Sequence, residues 1–202
     1  MIELYTAPTS NGRRATIALE ECGLPYRAHV VTLGGVKPEG LLRINPLGDI
    51  PAMHDPGGPG GKPIGLSQSM AILLYAADKA GRFMPADRTA RAQTMQWLMY
   101  AATDIGPTSN TVFYLENQVP DRVDSTIKFF HDRLVNFLTH LNRRLGQVEY
   151  LVGELSVADL ALYPSFLIRK PLAEAHGLQH LLRWAAALAA RPAIARGVKA
   201  AG

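Results

Sequence analysis

The chain has 202 residues, a net charge of +4 at pH 7, 48% hydrophobic residues and 19% charged residues. This composition is typical of a soluble globular protein of one or two domains, and no run of about 20 apolar residues predicts a transmembrane helix. The basic residues are dispersed, which favours a solvated basic surface over nucleic-acid binding. The sequence opens without a charged and then apolar leader, so we expect a cytoplasmic protein that binds neither membranes nor nucleic acids.

The sequence contains a single cysteine, Cys22. One cysteine excludes an intrachain disulfide and a CxxC redox pair. Two acidic neighbours, Glu20 and Glu21, disfavour its thiolate, so we interpret Cys22 as a packed thiol. An oxidoreductase that relies on its own cysteine is therefore nearly excluded.

The first 79 residues mix strand and helix patterns. Residues 2–5 alternate as a strand, residues 8–12 predict a turn, and residues 13–22 carry an apolar helical face. The patterns that follow predict a strand at 26–33, a helical turn near 39–43, strands at 52–54 and 64–66, and a helix at 67–79. This order predicts an α/β domain over residues 1–80.

The composition changes at residues 81–87, which we interpret as an interdomain linker. Residues 88–202 show helical patterns throughout. Apolar residues recur at spacings of three and four between Ala92 and Ala102 and between Phe129 and Leu145, which indicates a helix bundle with a long helix pair at residues 88–115 and 121–145. Ser156-Val157-Ala158-Asp159 predicts a capping box at a helix start, so we assign Asp159 a structural role and no chemistry.

Pro51 precedes the strand predicted at Ala52. A proline cannot donate to the sheet ladder and therefore belongs at the first residue of a strand or at an edge. Only about 5–6% of X-Pro bonds are cis, so the local sequence alone favours a trans proline in a loop. The segments around Pro51 favour a cis bond between Ile50 and Pro51.

Four segments in fixed order carry a family resemblance. They are Tyr5-Thr6-Ala7-Pro8-Thr9-Ser10-Asn11-Gly12, Asn45-Pro46-Leu47-Gly48-Asp49-Ile50-Pro51-Ala52, Leu66-Ser67-Gln68-Ser69-Met70-Ala71-Ile72-Leu73 and Gly153-Glu154-Leu155-Ser156-Val157-Ala158-Asp159. With these segments the chain resembles a cytosolic glutathione transferase from residue 2 to about residue 192. The turn at residues 9–12 and the extended hairpin at residues 55–63 are most similar to the bacterial Nu class.

The resemblance implies a glutathione transferase fold: a thioredoxin-like α/β N-terminal domain, the linker, and an all-α C-terminal helical domain. It implies a glutathione-dependent transferase or a disulfide-bond reductase without a catalytic protein cysteine. Glutathione would be the co-substrate, an electrophile or a disulfide the second substrate, and the protein a homodimer. No metal is expected.

Gln68 and Ser69 are the candidate residues for the γ-glutamyl group of glutathione. They stand where a helix begins, and free amides, a hydroxyl and the positive end of the helix dipole suit a carboxylate there. The alternative is that the two residues only cap the helix. The backbone of Ile50, exposed by a cis bond to Pro51, would pair with the cysteinyl backbone of the tripeptide.

Two positions depart from the family pattern. Asp49 stands where the family often has a lysine or another residue that assists the glycine carboxylate. Pointing into the site, Asp49 would repel that carboxylate; the alternatives are that it points outward, or that Lys37 or Arg13 compensates for its charge. Gln68 replaces the acidic residue that is usual in the bacterial classes. Asp49 favours the runner-up hypothesis, a non-catalytic glutathione-transferase-like binding or regulatory protein.

The candidates for stabilising the glutathione thiolate are Thr9, Asn11 and Ser10, in that order by resemblance. Lowering a thiol pKa by two units takes roughly 2.7 kcal/mol. A hydrogen bond to a charged acceptor is worth about 1.5–3 kcal/mol, and a helix N-terminus adds about 0.3–1 kcal/mol. The alternative is a turn and N-cap without chemistry. Tyr5 lies upstream of the turn and is interpreted as a core residue.

The second substrate would lie near an apolar helical stripe made of Ile105, Thr108, Val112 and Phe113. The same spacing is equally typical of a bundle core. The sequence leaves both interpretations open.

Overall fold

The computed structural model describes all 202 residues. The chain divides into two compact units, residues 1–84 together with 189–202, and residues 85–188. The elements up to residue 80 are β1 (Ile2–Thr6), α1 (Ser10–Cys22), β2 (Tyr26–Val30), α2 (Glu39–Ile44), β3 (Ala52–Asp55), a 3-10 turn (Pro59–Gly61), β4 (Ile64–Ser67) and α3 (Ser69–Ala80). The later elements are α4 (Arg88–Met99), a π-helical segment (Tyr100–Ile105), α5 (Gly106–Asn117), α6 (Asp124–Leu145), α7 (Val157–Ala175), α8 (Gln179–Ala189) and α9 (Pro192–Ala200).

The four strands form one mixed sheet in the order β2-β1-β3-β4. β1 pairs parallel with β2 and antiparallel with β3, and β3 pairs antiparallel with β4. β2 is shorter than its apolar pattern predicts. It ends at Val30 because Val30 pairs with Thr6, the last residue of β1, and no strand continues beyond that pair.

The C-terminal helix α9 packs on α1, so residues 189–202 belong to the first unit. Thr16 donates its hydroxyl to the Gly197 carbonyl at 2.6 Å. A Cβ at Gly197 would lie 2.6 Å from the Ile17 Cα, so only glycine allows this approach. Arg191 holds the buried Glu21 carboxylate with two hydrogen bonds, of 2.6 and 2.8 Å. The predicted linker at residues 81–87 and helical domain at residues 88–202 stay a prediction. The packing of the chain groups residues 189–202 with the first unit instead of with the other helices.

The pattern that predicts one helix from residue 88 to 115 forms three consecutive segments. The middle one, Tyr100–Ile105, is π-helical and is followed by Gly106 and Pro107. Pro107 has no N–H with which to bond four residues back, so regular α-helical bonding is interrupted there. α6 begins at Asp124, three residues later than the pattern predicts.

The predicted capping box is confirmed at the start of α7. The buried Asp159 carboxylate accepts four hydrogen bonds. The donors are the Leu151 and Ser156 amides at 3.0 Å each, the Ser156 hydroxyl at 2.9 Å and the Trp184 indole at 2.9 Å. Burial raises the pKa of Asp159, and these donors oppose the rise by favouring the charged form. Asp159 therefore joins the start of α7 to the loop at Leu151 and to α8.

The hairpin tip between β3 and β4 is attached to α3 through Asp55. Its Oδ2 accepts hydrogen bonds from Tyr75 and Lys79, each at 2.6 Å, and its Oδ1 accepts from the Gly57 amide at 2.9 Å. Burial alone would raise the pKa of Asp55, but the bonds from Lys79 and Tyr75 hold it below the usual value. The tip is thus anchored at its base.

Candidate functional site

The sheet register brings the three predicted site segments to one end of the sheet. Ala52 pairs with Tyr5 on one side and with Ser67 on the other. β1 therefore runs toward the turn at residues 9–12, β3 begins just after Ile50 and Pro51, and β4 runs directly into Gln68. No local sequence pattern specifies this convergence, because it depends on the pairing of three strands.

Thr9 is the N-cap of α1. Its Oγ1 accepts a hydrogen bond from the Gly12 amide at 3.0 Å. A Cβ at Gly12 would collide with the Ala7 carbonyl oxygen, so the tight turn requires glycine there. Because Oγ1 acts as the acceptor in this cap, its proton remains available to a ligand. Ser10 is the first residue of α1 and is half-buried.

Asn11 and Ser69 lie in contact, although 58 residues separate them. The Ser69 hydroxyl donates to Asn11 Oδ1 at 3.2 Å. Arg14 joins both residues, because its Nη1 donates to Asn11 Oδ1 at 2.6 Å and to Ser69 Oγ at 2.7 Å. The start of α1, which carries the thiol candidates, is thereby connected to the start of α3, which carries the carboxylate candidates.

Arg14 is the residue of this cluster that the sequence interpretation missed. It is 2% exposed, and burial lowers its pKa to about 10, so it remains cationic at neutral pH. One signal was present in the sequence. Arg14 occupies the apolar face of α1 three and four residues before Ile17 and Ala18, where a charged residue requires hydrogen-bonding partners. The interpretation named Arg13 instead, which is half-buried.

Gln68 precedes α3 in an unusual conformation. Its φ is 74° and its ψ is 114°, and its side chain makes no capping hydrogen bond to the helix. A non-glycine residue in such a region costs of order 1–3 kcal/mol and is found mostly at functional sites. The exposed, non-capping side chain favours the binding interpretation of Gln68 over the capping one.

Ile50 and Pro51 lie just outside the sheet ladder, which begins at Ala52. The peptide bond between them is cis, as the surrounding segments predict. The Ile50 side chain packs against the core cluster around Leu41, so it faces the protein interior. Asn45 shapes the preceding loop by donating to the Asp49 carbonyl at 2.9 Å and accepting from the Leu47 amide at 3.3 Å.

Lys37 lies next to the loop that leads to Ile50. A Cβ at Gly48 would be 3.0 Å from the Lys37 Cγ, so the aliphatic part of the lysine packs over this glycine, whose φ is +67°. Asp49, the next residue, is exposed. Water therefore screens its charge, which reduces the repulsion that a glycine carboxylate would meet nearby. Lys37 as its compensating partner remains a prediction.

Cys22 is a packed thiol. It is 7% exposed, and burial raises its pKa to about 11; the nearby Arg82 opposes this rise, and Glu21 adds a smaller contribution to it. A thiol with this pKa is protonated at neutral pH and is a poor nucleophile. No group of three or more His, Cys, Asp or Glu side chains is arranged to hold a metal ion.

The apolar stripe proposed for the second substrate is largely a core feature of the second unit. Ile105, Thr108 and Val112 are buried, whereas Phe113 is 45% exposed. Of the four residues, only Phe113 presents a large apolar surface to solvent. No helix of the protein combines the length and the apolar character needed to span a membrane.

Comparison with known proteins identifies the family. Residues 10–79 match the glutathione S-transferase N-terminal domain and residues 104–198 match the glutathione S-transferase C-terminal domain. The chain belongs to the glutathione S-transferase family, which confirms the predicted fold class.

Relatives with assigned activities support this assignment. The chain is 39% identical to the disulfide-bond oxidoreductase YfcG of Escherichia coli, over 81% of this chain and 78% of the relative. It is 30% identical to the disulfide-bond oxidoreductase YghU of the same organism, over 97% of this chain and 73% of the relative.

A solved structure gives a close match to the fold. The glutathione transferase of Pseudomonas putida, crystallised with one glutathione disulfide per subunit, superposes with a TM-score of 0.91. The two sequences are 32% identical, and the match covers 100% of this chain and 92% of that one. A Pseudomonas fluorescens family member with two glutathione molecules bound has a TM-score of 0.88 and 34% identity, over 98% and 92% of the two chains.

Proposed function

We propose that the protein binds glutathione at the end of the sheet and uses its thiolate as a nucleophile, as a transferase or a disulfide-bond reductase. The observation that carries the proposal is the contact between Asn11 and Ser69. It unites the predicted thiol turn and the predicted carboxylate site in one place. The names and bound ligands of the relatives support the same function.

Each part of glutathione has a candidate partner in this site. The γ-glutamyl carboxylate meets Ser69 and the N-terminus of α3, and Gln68 accepts from the ammonium group. The cysteinyl backbone pairs with Ile50, which adds the tripeptide beside the sheet as an extra strand. Lys37 serves the glycine carboxylate. Thr9, with Asn11 and Ser10 as alternatives, donates to the thiolate.

The thiolate supports two balanced reactions. In transfer, its sulfur bonds to an electrophilic carbon and a leaving group departs with the electron pair. In disulfide reduction, it attacks one sulfur of a substrate disulfide, forms a mixed disulfide and releases the other sulfur as a thiolate. A second glutathione then attacks the mixed disulfide, which yields oxidised glutathione and the second reduced thiol.

The runner-up function is a non-catalytic binding or regulatory protein. Its support from the sequence was Asp49, whose charge would oppose the glycine carboxylate. Because the Asp49 side chain is exposed and screened, the catalytic proposal is favoured. A disulfide-reduction assay with glutathione as the reductant separates the two functions, since only the enzyme turns over.

We expect Ser69→Ala to weaken glutathione binding by about tenfold or more, because it removes the hydroxyl donor to the γ-glutamyl carboxylate. Isothermal titration calorimetry measures the change. Ser67→Ala is the matched control, since Ser67 ends β4 and is not a predicted ligand. Equal affinities of the two variants would contradict the role of Ser69, and no binding by the wild type at millimolar glutathione would contradict the function.

Cys22→Ala should leave disulfide reductase and transferase rates near those of the wild type, because the attacking sulfur belongs to glutathione. The high pKa and burial of Cys22 support this expectation. Steady-state rates at neutral pH test it. Loss of activity in a variant that melts like the wild type would instead indicate a cysteine-based oxidoreductase.

We expect the protein to be a homodimer. α5 and α6 leave large apolar side chains in solvent: Phe113 is 45%, Tyr114 50% and Phe129 61% exposed in the single chain. Apolar groups of this size are stabilised by burial in an interface. Light scattering at micromolar concentration should give twice the 22.0 kDa mass of one chain, and a particle of 22.0 kDa would rule the dimer out.

A further inference from the structure

Arg14 contacts both halves of the candidate site, and we propose that it is a positioning residue that orients Asn11 toward the thiol and Ser69 toward the γ-glutamyl carboxylate. This inference rests on the proposed function, because it concerns the same site. Arg14 is 2% exposed. A guanidinium so deeply buried acts through the side chains that it contacts.

The geometry determines which way the Asn11 amide faces. The two N–H groups of Arg14 Nη1 point at Asn11 Oδ1 and Ser69 Oγ, at 2.6 and 2.7 Å. A guanidinium only donates, so the Asn11 atom that faces it must be the oxygen. The amide nitrogen of Asn11 then points away from Arg14. Since Asn11 is exposed, this donor is presented at the open end of α1.

The same bonds prepare Ser69 for a carboxylate. Its single hydroxyl proton is directed at Asn11 Oδ1 over 3.2 Å, the longest of the three contacts. An incoming carboxylate competes for that proton, and the hydroxyl is a stronger donor while its oxygen accepts from a cation. When the proton turns to the ligand, Arg14 still holds Asn11 Oδ1. Arg14 therefore couples carboxylate recognition on α3 to thiol recognition on α1.

The position of the charge favours an anionic ligand. Arg14 bonds to residues in the first turns of both α1 and α3, where the two helix dipoles are positive. An anion that reaches this end of the sheet is therefore attracted by the guanidinium and by both helix ends together. Glutathione brings both a carboxylate and a thiolate.

The test compares Arg14→Met with Arg14→Lys in the full-length protein. Methionine removes every donor at similar length, whereas the lysine ammonium carries three hydrogens on one nitrogen and can serve both oxygens as Nη1 does. Calorimetry gives the glutathione affinity, and ultraviolet absorbance gives the thiolate fraction of bound glutathione at neutral pH. We expect Arg14→Met to lower both by about tenfold and Arg14→Lys to retain most of each.

Arg191→Met is the matched control. It breaks the ion pair with the buried carboxylate of Glu21 in the same unit, at the far end of α1. It should lower the melting temperature and leave the thiolate fraction unchanged. A parallel loss of thiolate in Arg191→Met would show that destabilisation alone accounts for the Arg14 result, and would overturn the inference.

A double-mutant cycle separates positioning from an independent effect. If Arg14 acts through Asn11, Arg14→Met should not lower the thiolate fraction of bound glutathione any further in a protein that already carries Asn11→Ala. Additive losses, or a folded Arg14→Met with the wild-type thiolate fraction, overturn the inference.

If Arg14→Met does not fold, Arg14→Gln replaces it. A lower thiolate fraction in Arg14→Gln than in Arg14→Lys supports the inference, and equal thiolate fractions overturn it. A wild-type protein that binds no glutathione overturns the proposed function as well, whereas unchanged Arg14 variants of a wild type that binds glutathione overturn this inference alone.

Discussion

Thr9→Ala should cut turnover with glutathione by about 10- to 100-fold, which corresponds to the loss of a hydrogen bond worth about 1.5–3 kcal/mol to a charged sulfur. Glutathione affinity should change little, because the ground-state thiol gains little from the hydroxyl. The Thr9 oxygen accepts from the Gly12 amide in the cap, so its proton is available for the thiolate. Steady-state kinetics that separate kcat from glutathione affinity measure the effect.

Loss of the cap is a separate consequence of the same substitution. Replacing an N-cap threonine by alanine costs about 1 kcal/mol of stability, so the rates must be measured well below the melting temperature. Thr9→Ser is the matched control, since it keeps both the capping oxygen and the donor and should stay near the wild-type rate.

Parallel alanine variants locate the donor within the turn. If Thr9→Ala is silent while Asn11→Ala or Ser10→Ala is not, the site is correct and the assignment within the turn is wrong. If all three variants are silent in an active enzyme, backbone amides stabilise the thiolate and the side-chain explanation fails.

Asp159→Ala should lower the free energy of unfolding by about 3–5 kcal/mol, because it removes the shared acceptor of a buried hydrogen-bond network. It leaves the Leu151 amide, the Ser156 amide and hydroxyl and the Trp184 indole without their acceptor. Each unsatisfied buried group costs about 1–3 kcal/mol before the structure relaxes. Because total stability is about 5–15 kcal/mol, much of the protein should be unfolded under mild denaturant.

Urea denaturation followed by tryptophan fluorescence measures this change, since Trp184 is one of the affected groups. Asp124→Ala is the control: Asp124 also lies in the first turn of a long helix, but its side chain is 84% exposed and pairs only with Arg122 across 2.8 Å. That substitution should shift stability by no more than about 0.5 kcal/mol. Similar midpoints for the two variants would refute the structural role of Asp159.

Features that depend on neighbouring residues were predictable from the sequence. The capping box at Ser156 and Asp159 is local, since its reciprocal bonds span three residues. The alternation at Ile2–Thr6 and the apolar face of Ser10–Cys22 each specify one element. Boundaries were less accurate. Ser67 was assigned to a helix, but it pairs with Ala52 and completes β4.

Features that depend on distant residues were not predictable in this way. The apolar periodicity continues from Arg88 through Tyr100 toward Asn117, and it carries no signal for the π-helical segment. The pattern of α9 is simply that of an amphipathic helix. Its place on α1 depends on the close approach of Gly197 to Ile17 and on the ion pair between Arg191 and Glu21.

In the candidate site, too, the local motifs were predictable from the sequence and the contacts between distant residues were not. Residue order and spacing were sufficient for the family, the α/β and helical composition, and the segments that hold Thr9, Ile50 and Ser69, because each is a short motif. Tertiary structure alone decided that Asn11 and Ser69 touch, and that the buried Arg14 joins them. Strand pairing and helix packing bring Ser69 to Asn11 and Arg14, which lie more than 50 positions away in the sequence, and a pattern confined to one element contains no record of its partner.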